Sequence, residues 1–134
     1  MGDLGTPLSG MKILLVDDND FNREITASIL QSKGACVDEC INGKDAVEKV
    51  KQSKKELYNY ILMDIEMPVL DGYKATQKIR SFFNKKLSTV PIIAMTADDC
   101  EEDVKKEKEA GFNAHLTKPF YIENFLKVLA SITK

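Results

Sequence analysis

The chain has 134 residues, 43% of them hydrophobic and 30% charged, with a formal net charge of −2. That suits one domain around one core, offers no basic surface for nucleic acid, and includes no apolar run near the ~20 residues of a membrane span. The N-terminus lacks the basic-then-apolar order of a secretory signal, and Cys36, Cys40 and Cys100 have neither the parity of a disulfide framework nor metal-ligand spacing, so a reducing, cytoplasmic setting is expected.

Residues 1–10, MGDLGTPLSG, are Gly- and Pro-rich without periodicity and read as a linker or leader. Gly2 and Thr6 match the short myristoylation pattern, but no basic cluster or second anchor signal accompanies it. Residues 11–16 form an aliphatic run of the kind that makes a strand covered on both faces; it ends at Asp17-Asp18. Phe21, Ile25 and Ile29 recur every four residues and predict a helix with that apolar face committed to the core and Asp20 as its N-cap. Residues 35–41 carry Asp38 and Glu39 and read as an edge strand. On it, Cys36 and Cys40 share a face roughly 13 Å apart, too far to bridge.

Asn42-Gly43 opens a short helix with Ala46, Val47 and Val50. Residues 60–63 are a second aliphatic strand, ending at Asp64, and residues 90–95 a third, ending at Thr96. Between these two, Ala75, Ile79, Phe82 and Phe83 have helical spacing. Residues 98–110 are mostly charged, with Cys100 and Val104 as the one apolar stripe. They predict a weakly anchored helix whose charges most simply form a solvated face; the alternative reading is that a helix with so few apolar anchors can shift. A short strand at 114–117 runs into Lys118, and Ile122, Phe125, Leu126 and Leu129 make a final helix. Repeated βα units predict a parallel sheet with five strands and five helices, the helices on both faces. No internal repeat is visible, and residues 11–134 read as one domain.

The carboxyl ends of parallel strands share one edge, where open α/β sheets bind ligands. Asp17, Asp18, Asp64, Thr96 and Lys118 therefore converge. Three carboxylates in one crevice do not all stay ionised cheaply without a cation, and all-oxygen donors suit a hard one: Mg²⁺, with Mn²⁺ as a substitute. A metal beside a carboxylate, with a lysine and a hydroxyl across from it, has the parts for phosphoryl transfer to that carboxylate. No Gly-rich phosphate loop competes, and His115 is the one histidine.

Four stretches, ILLVDDND, MDIEMPVLDG, IIAMTADD and LTKPF, stand in register and resemble the receiver domain of two-component response regulators, most of all those of hybrid sensor histidine kinases. The resemblance runs from about residue 11 to the end of the chain. It implies a flavodoxin-like, doubly wound α/β fold with strand order 2-1-3-4-5. It implies that Asp64 accepts a phosphoryl group from a phosphohistidine on a histidine kinase or histidine phosphotransfer domain. Asp18 and Asp64 would bind Mg²⁺ directly, Asp17 largely through water, and the backbone carbonyl of Glu66 would be a further ligand. Thr96 would donate its hydroxyl to a phosphoryl oxygen, Lys118 would pair with that group, and the Lys118–Pro119 peptide would be cis. Partner binding would then switch, without catalysis on an external metabolite beyond self-phosphorylation and self-dephosphorylation.

Two features depart from common members. His115 sits three before Lys118, where many receivers carry the Tyr or Phe that rotates on activation. Glu66 and Asp98, two residues after Asp64 and Thr96, border the hydrolysis route. Because no output domain follows Lys134, the chain reads as a lone shuttle or as a receiver from a hybrid kinase. The rival reading is a small haloacid-dehalogenase-like phosphatase with Asp18 of Asp18-Asn19-Asp20 as nucleophile, which leaves Asp64 and the MPVLDG turn unexplained.

Overall fold

The computed structural model describes residues 7–67, 69–97 and 101–132. The pattern at Gly2 and Thr6 and the expectations on Asp98 and Cys100 fall outside them. Eleven elements follow in the order β1 (Lys12–Val16), α1 (Asp20–Ser32), β2 (Cys36–Cys40), α2 (Gly43–Lys51), β3 (Tyr60–Asp64), α3 (Gly72–Arg80), α4 (Lys85–Ser88), β4 (Ile92–Thr96), α5 (Glu101–Ala110), β5 (Ala114–Thr117) and α6 (Ile122–Ile132). All strand pairs are parallel, and the sheet order is β2-β1-β3-β4-β5. This is the flavodoxin-like order. Among the described residues the helices number six rather than five, because Asn84 caps a four-residue turn of helix, α4, between α3 and β4.

Alternation along each strand divides the core in two. Leu14, Val16, Ile61, Met63, Ile92 and Ala94 face α2, α3 and the α5 side, meeting Ala46, Val50, Ala75, Ile79, Ala110 and Phe112. Ile13, Leu15, Leu62, Ile93, Met95 and Leu116 face α1 and α6, meeting Ala27, Leu30, Phe125 and Leu129. Leu8, within the stretch expected to be leader, is fully buried in this second cluster, and its amide donates to the Lys33 carbonyl at 2.8 Å. On the edge strand β2, Cys36 is exposed and Cys40 buried; burial pushes the Cys40 thiol up to about 12. No helix among the described residues is long and apolar enough to cross a membrane.

The orientation expected for α1 is wrong. Thr26, Ala27 and Leu30 face the sheet, whereas Phe21 is 72% exposed and Ile25 44%. Leu30 lies roughly half a turn around the helix from Phe21. Its start is also one residue earlier than expected: Asn19 is the N-cap, accepting from the Asn22 amide at 2.9 Å, while Asp20 is already helical and binds Arg23. A polar anchor holds this rotation. Arg23 donates to the Asp17 carbonyl at 2.9 Å, to Asp20 at 2.7 Å and to Glu39 at 3.1 Å.

A second arginine fixes the far end. α3 stops at Arg80, whose guanidinium donates to the carbonyls of Ser88, Val90 and Gly111 and to the side-chain oxygen of Asn113. Phe82 and Phe83 thus fall beyond the helix, and Phe83 is wholly exposed.

Candidate functional site

The polar residues that end β1, β3, β4 and β5 meet at the carboxyl edge of the sheet, around an open crevice of about 270 Å³ lined in part by Asp18, Asp64, Glu66, Thr96 and Lys118. Carboxylate oxygens of Asp17, Asp18 and Asp64 lie within 4.8 Å of one another. Asp17 and Asp64 are buried, at 0% and 5% exposure, and Asp18 is exposed. Lys118 Nζ stands 3.2 Å from Asp64 Oδ2 and 3.9 Å from Asp17 Oδ2.

The backbone explains the arrangement. The Asp17 amide donates to the Cys40 carbonyl at 3.1 Å, continuing the sheet one residue past β1. Its Oδ1 then accepts from the Asn19 amide at 2.9 Å, an Asx turn that folds the chain into α1. Asp64 Oδ1 accepts from the Glu66 amide at 3.3 Å. Gly72, the first residue of α3 after its N-cap Asp71, packs so close to this turn that a Cβ there would overlap the Asp64 carbonyl oxygen and Ile65 Cα. Lys118 is held by its own amide, which donates to the Thr96 carbonyl at 2.7 Å, and the peptide to Pro119 is cis. Thr96 is buried at the end of β4.

Burial is the largest cause that raises Asp64, to about 6; the Asp17 charge adds to it and Lys118 opposes it. Asp17 Oδ2 is buried and accepts no hydrogen bond. A crowded set of oxygen donors, one left unsatisfied, fits a hard divalent cation such as Mg²⁺. Beside the crevice opens a larger, mainly apolar cleft of about 350 Å³ between α1 and the chain after β5, walled by Ile25, Met95, Pro119 and Phe120.

His115 is not among the residues lining the crevice. Its Nδ1 lies 2.8 Å from Glu107 Oε1 of α5. Glu107 is 2% exposed, an exception to the solvated face expected for that helix. Neither Glu107 nor Arg23 was singled out by sequence reasoning. In a run of charges nothing marks the one side chain that turns inward, and for Arg23 the sole sequence signal is its spacing of three from Asp20.

A family profile described as the response regulator receiver domain matches residues 13–130. The hybrid signal transduction histidine kinase L of Dictyostelium discoideum is 41% identical over 109 residues, which cover 81% of this chain; the chain spans 6% of that protein's length. Among solved structures, the receiver domain of the sensor histidine kinase PA1611 of Pseudomonas aeruginosa, which has a magnesium ion coordinated in its active-site cleft, is 37% identical. It superposes with a TM-score of 0.80, covering 92% of this chain and 97% of its own. The receiver domain of the histidine kinase CKI1 of Arabidopsis thaliana, complexed with Mg²⁺ and BeF₃⁻, is 30% identical, with a TM-score of 0.74 and 92% of each chain covered. The phosphatase reading finds no support in these likenesses. Nor does it in the geometry, since Asp20 is 88% exposed and bound to Arg23.

Proposed function

The chain belongs to the response regulator receiver family, and from that premise we propose that Asp64 accepts a phosphoryl group from a phosphohistidine on a histidine kinase or histidine phosphotransfer domain. Receivers are signalling domains rather than enzymes acting on a metabolite, and the likeness to a hybrid kinase supports such a phosphorelay in the cytoplasm. Residues 11–134 are read as the receiver, with residues 1–10 as a leader whose Leu8 packs into the second core cluster. The observation that carries the reading is the place of Asp64: a buried carboxylate 3.2 Å from a lysine ammonium and within 4.8 Å of two further carboxylates.

In the transfer an Asp64 oxygen bonds to phosphorus while the phosphorus–nitrogen bond to the donor imidazole breaks and its electron pair returns to the ring. Asp64 is ionised for this above its raised pKa of about 6. Lys118 neutralises charge on the moving group, and Thr96 donates its hydroxyl to a phosphoryl oxygen. Asp18 and Asp64, with Asp17 through water and the Glu66 carbonyl, would hold Mg²⁺ or Mn²⁺, which supplies further charge neutralisation. The same groups serve self-phosphorylation from small donors and later hydrolysis.

Incubation with labelled acetyl phosphate and Mg²⁺ tests this. Label is expected on Asp64, lost in Asp64→Asn and in excess chelator. Label on Asp18, or transfer that persists in chelator, overturns it.

A further inference from the structure

The turn that carries Asp17 and Asp18 is bracketed by one side chain. Arg23, near the start of α1, is only 14% exposed, so its bonds are shielded from water, and each guanidinium nitrogen has a different partner. Nη1 donates to the Asp17 carbonyl at 2.9 Å, Nη2 to Asp20 at 2.7 Å and Nε to Glu39 of β2 at 3.1 Å. The Arg23 amide donates to the Asn19 carbonyl at 2.9 Å. With the bonds from the Asp17 amide to Cys40 and from the Asn19 amide to Asp17 Oδ1, the chain is tied down on both sides of Asp18. Asp18 stands at the apex with its carboxylate exposed.

We propose that Arg23 is a positioning residue for a cation in the acidic crevice: its grip on the Asp17 carbonyl sets where the Asp18 carboxylate stands. The inference rests on the reading that Asp17, Asp18 and Asp64 share Mg²⁺. A peptide unit is planar, so the Asp17 carbonyl shares one plane with the amide and Cα of Asp18. Holding that carbonyl stops the unit from rotating and fixes the direction in which the chain enters Asp18. A planar fork suits the task, since it meets three acceptors at set angles, as a single ammonium does not. The third partner supplies rigidity. Glu39 is in register with Leu15 of β1, so it belongs to the sheet rather than to the turn.

Grip and charge act in opposite directions. A guanidinium near the crevice repels a second cation, so by charge alone the loss of Arg23 would tighten Mg²⁺ binding. Asp20 and Glu39 lie against the guanidinium and offset its charge, which leaves the grip as the larger effect. Once the peptide is released, Asp18 has more orientations to lose when a cation binds.

The test uses Arg23→Gln, which removes the charge and the fork, and Arg23→Lys, which keeps the charge alone. In Arg23→Gln the Kd for Mg²⁺, measured by calorimetry, is expected to rise about tenfold, the low end for residues that orient metal ligands. In chelator, the Asn19 amide is expected to exchange faster while β3 keeps its protection. Labelling by acetyl phosphate is expected to slow at low Mg²⁺ and to recover at saturating Mg²⁺. Arg23→Lys is expected to change in the same direction, because it cannot span the three acceptors. Unchanged or tighter Mg²⁺ binding in Arg23→Gln overturns the proposal. So does wild-type affinity in Arg23→Lys, or labelling that stays slow at saturating Mg²⁺. If the wild-type chain binds no Mg²⁺, the cation reading fails and this inference with it. If it binds Mg²⁺ but takes no label on Asp64, the phosphoacceptor reading alone fails, and the Kd values still decide the role of Arg23.

Discussion

At the scale of single residues, Asp64 is a buried carboxylate whose neighbours pull it in opposite directions. Its environment disfavours the charge it needs, lifting it to about 6 through burial, with Asp17 in the same direction and Lys118 against. A carboxyl raised on folding contributes stability that is complete below its unfolded value of about 3.9 and is lost as pH rises through about 6. Asp64→Asn stays neutral throughout. Without divalent cations it is expected to unfold about 1–3 kcal/mol less readily than wild type at pH 7, since each tenfold difference in proton affinity between the folded and unfolded chain is worth roughly 1.4 kcal/mol. The gain shrinks as pH falls from 6 toward 4. Urea denaturation at several pH values measures it, and a variant less stable at pH 7, or a pH-independent gain, contradicts the balance of forces described. The residues in this balance were legible in the sequence. Asp17, Asp18, Asp64, Thr96 and Lys118 each follow a run that reads as a parallel strand, and parallel strands end on one edge. Glu107 was not legible, since burial of one carboxylate in a charged helix depends on where His115 stands across the sheet.

At the scale of elements, α1 shows what periodicity leaves open. Phe21, Ile25 and Ile29 have the i, i+4, i+8 spacing of a core face, and Arg23, Ala27 and Leu30, at i, i+4 and i+7, have an equally helical one. A stripe at that spacing predicts a helix but does not say which side is inward. Here the small Ala27 and the three-way anchor of Arg23 decide it, and the aromatic side is left in water. That side borders the cleft walled by Ile25, Pro119 and Phe120, with Tyr121 57% exposed nearby in sequence. On the proposed reading, an apolar rim beside an acidic crevice suits a protein phosphodonor, whose histidine would have to reach Asp64. Phe21→Ser is expected to change stability by no more than about 0.5 kcal/mol, as exposed substitutions do. It is expected to slow phosphotransfer from a phosphorylated histidine phosphotransfer domain tenfold or more, with acetyl phosphate labelling unchanged. Equal transfer from the protein donor would place docking elsewhere.

At the scale of the whole molecule, the fold gathers charge at one edge and leaves stability to be recovered there. Hydrophobic clusters on both faces of the sheet hold the strands rigid, so the strand-end aspartates have no freedom to move apart. Asp17 is fully buried and its Oδ2 lacks a hydrogen bond. A domain of this size is stable by only about 5–15 kcal/mol, against which such crowding is a large contribution. A divalent cation that binds the folded crevice and not the unfolded chain adds RT ln(1 + [L]/Kd), about 2.7 kcal/mol at a hundredfold excess over Kd. For a chain between the small and large domains surveyed, each kcal/mol moves Tm by about 3–5 °C. Saturating Mg²⁺ is therefore expected to raise Tm by roughly 8–13 °C, and Asp18→Asn to abolish most of that rise. Asp18 is exposed and outside both clusters, so the variant keeps the fold and isolates the cation's share. A Tm that Mg²⁺ leaves unchanged, or an equal rise in Asp18→Asn, would mean that the three carboxylates do not share a cation. Lys118 would then be the balancing charge for Asp17 and Asp64.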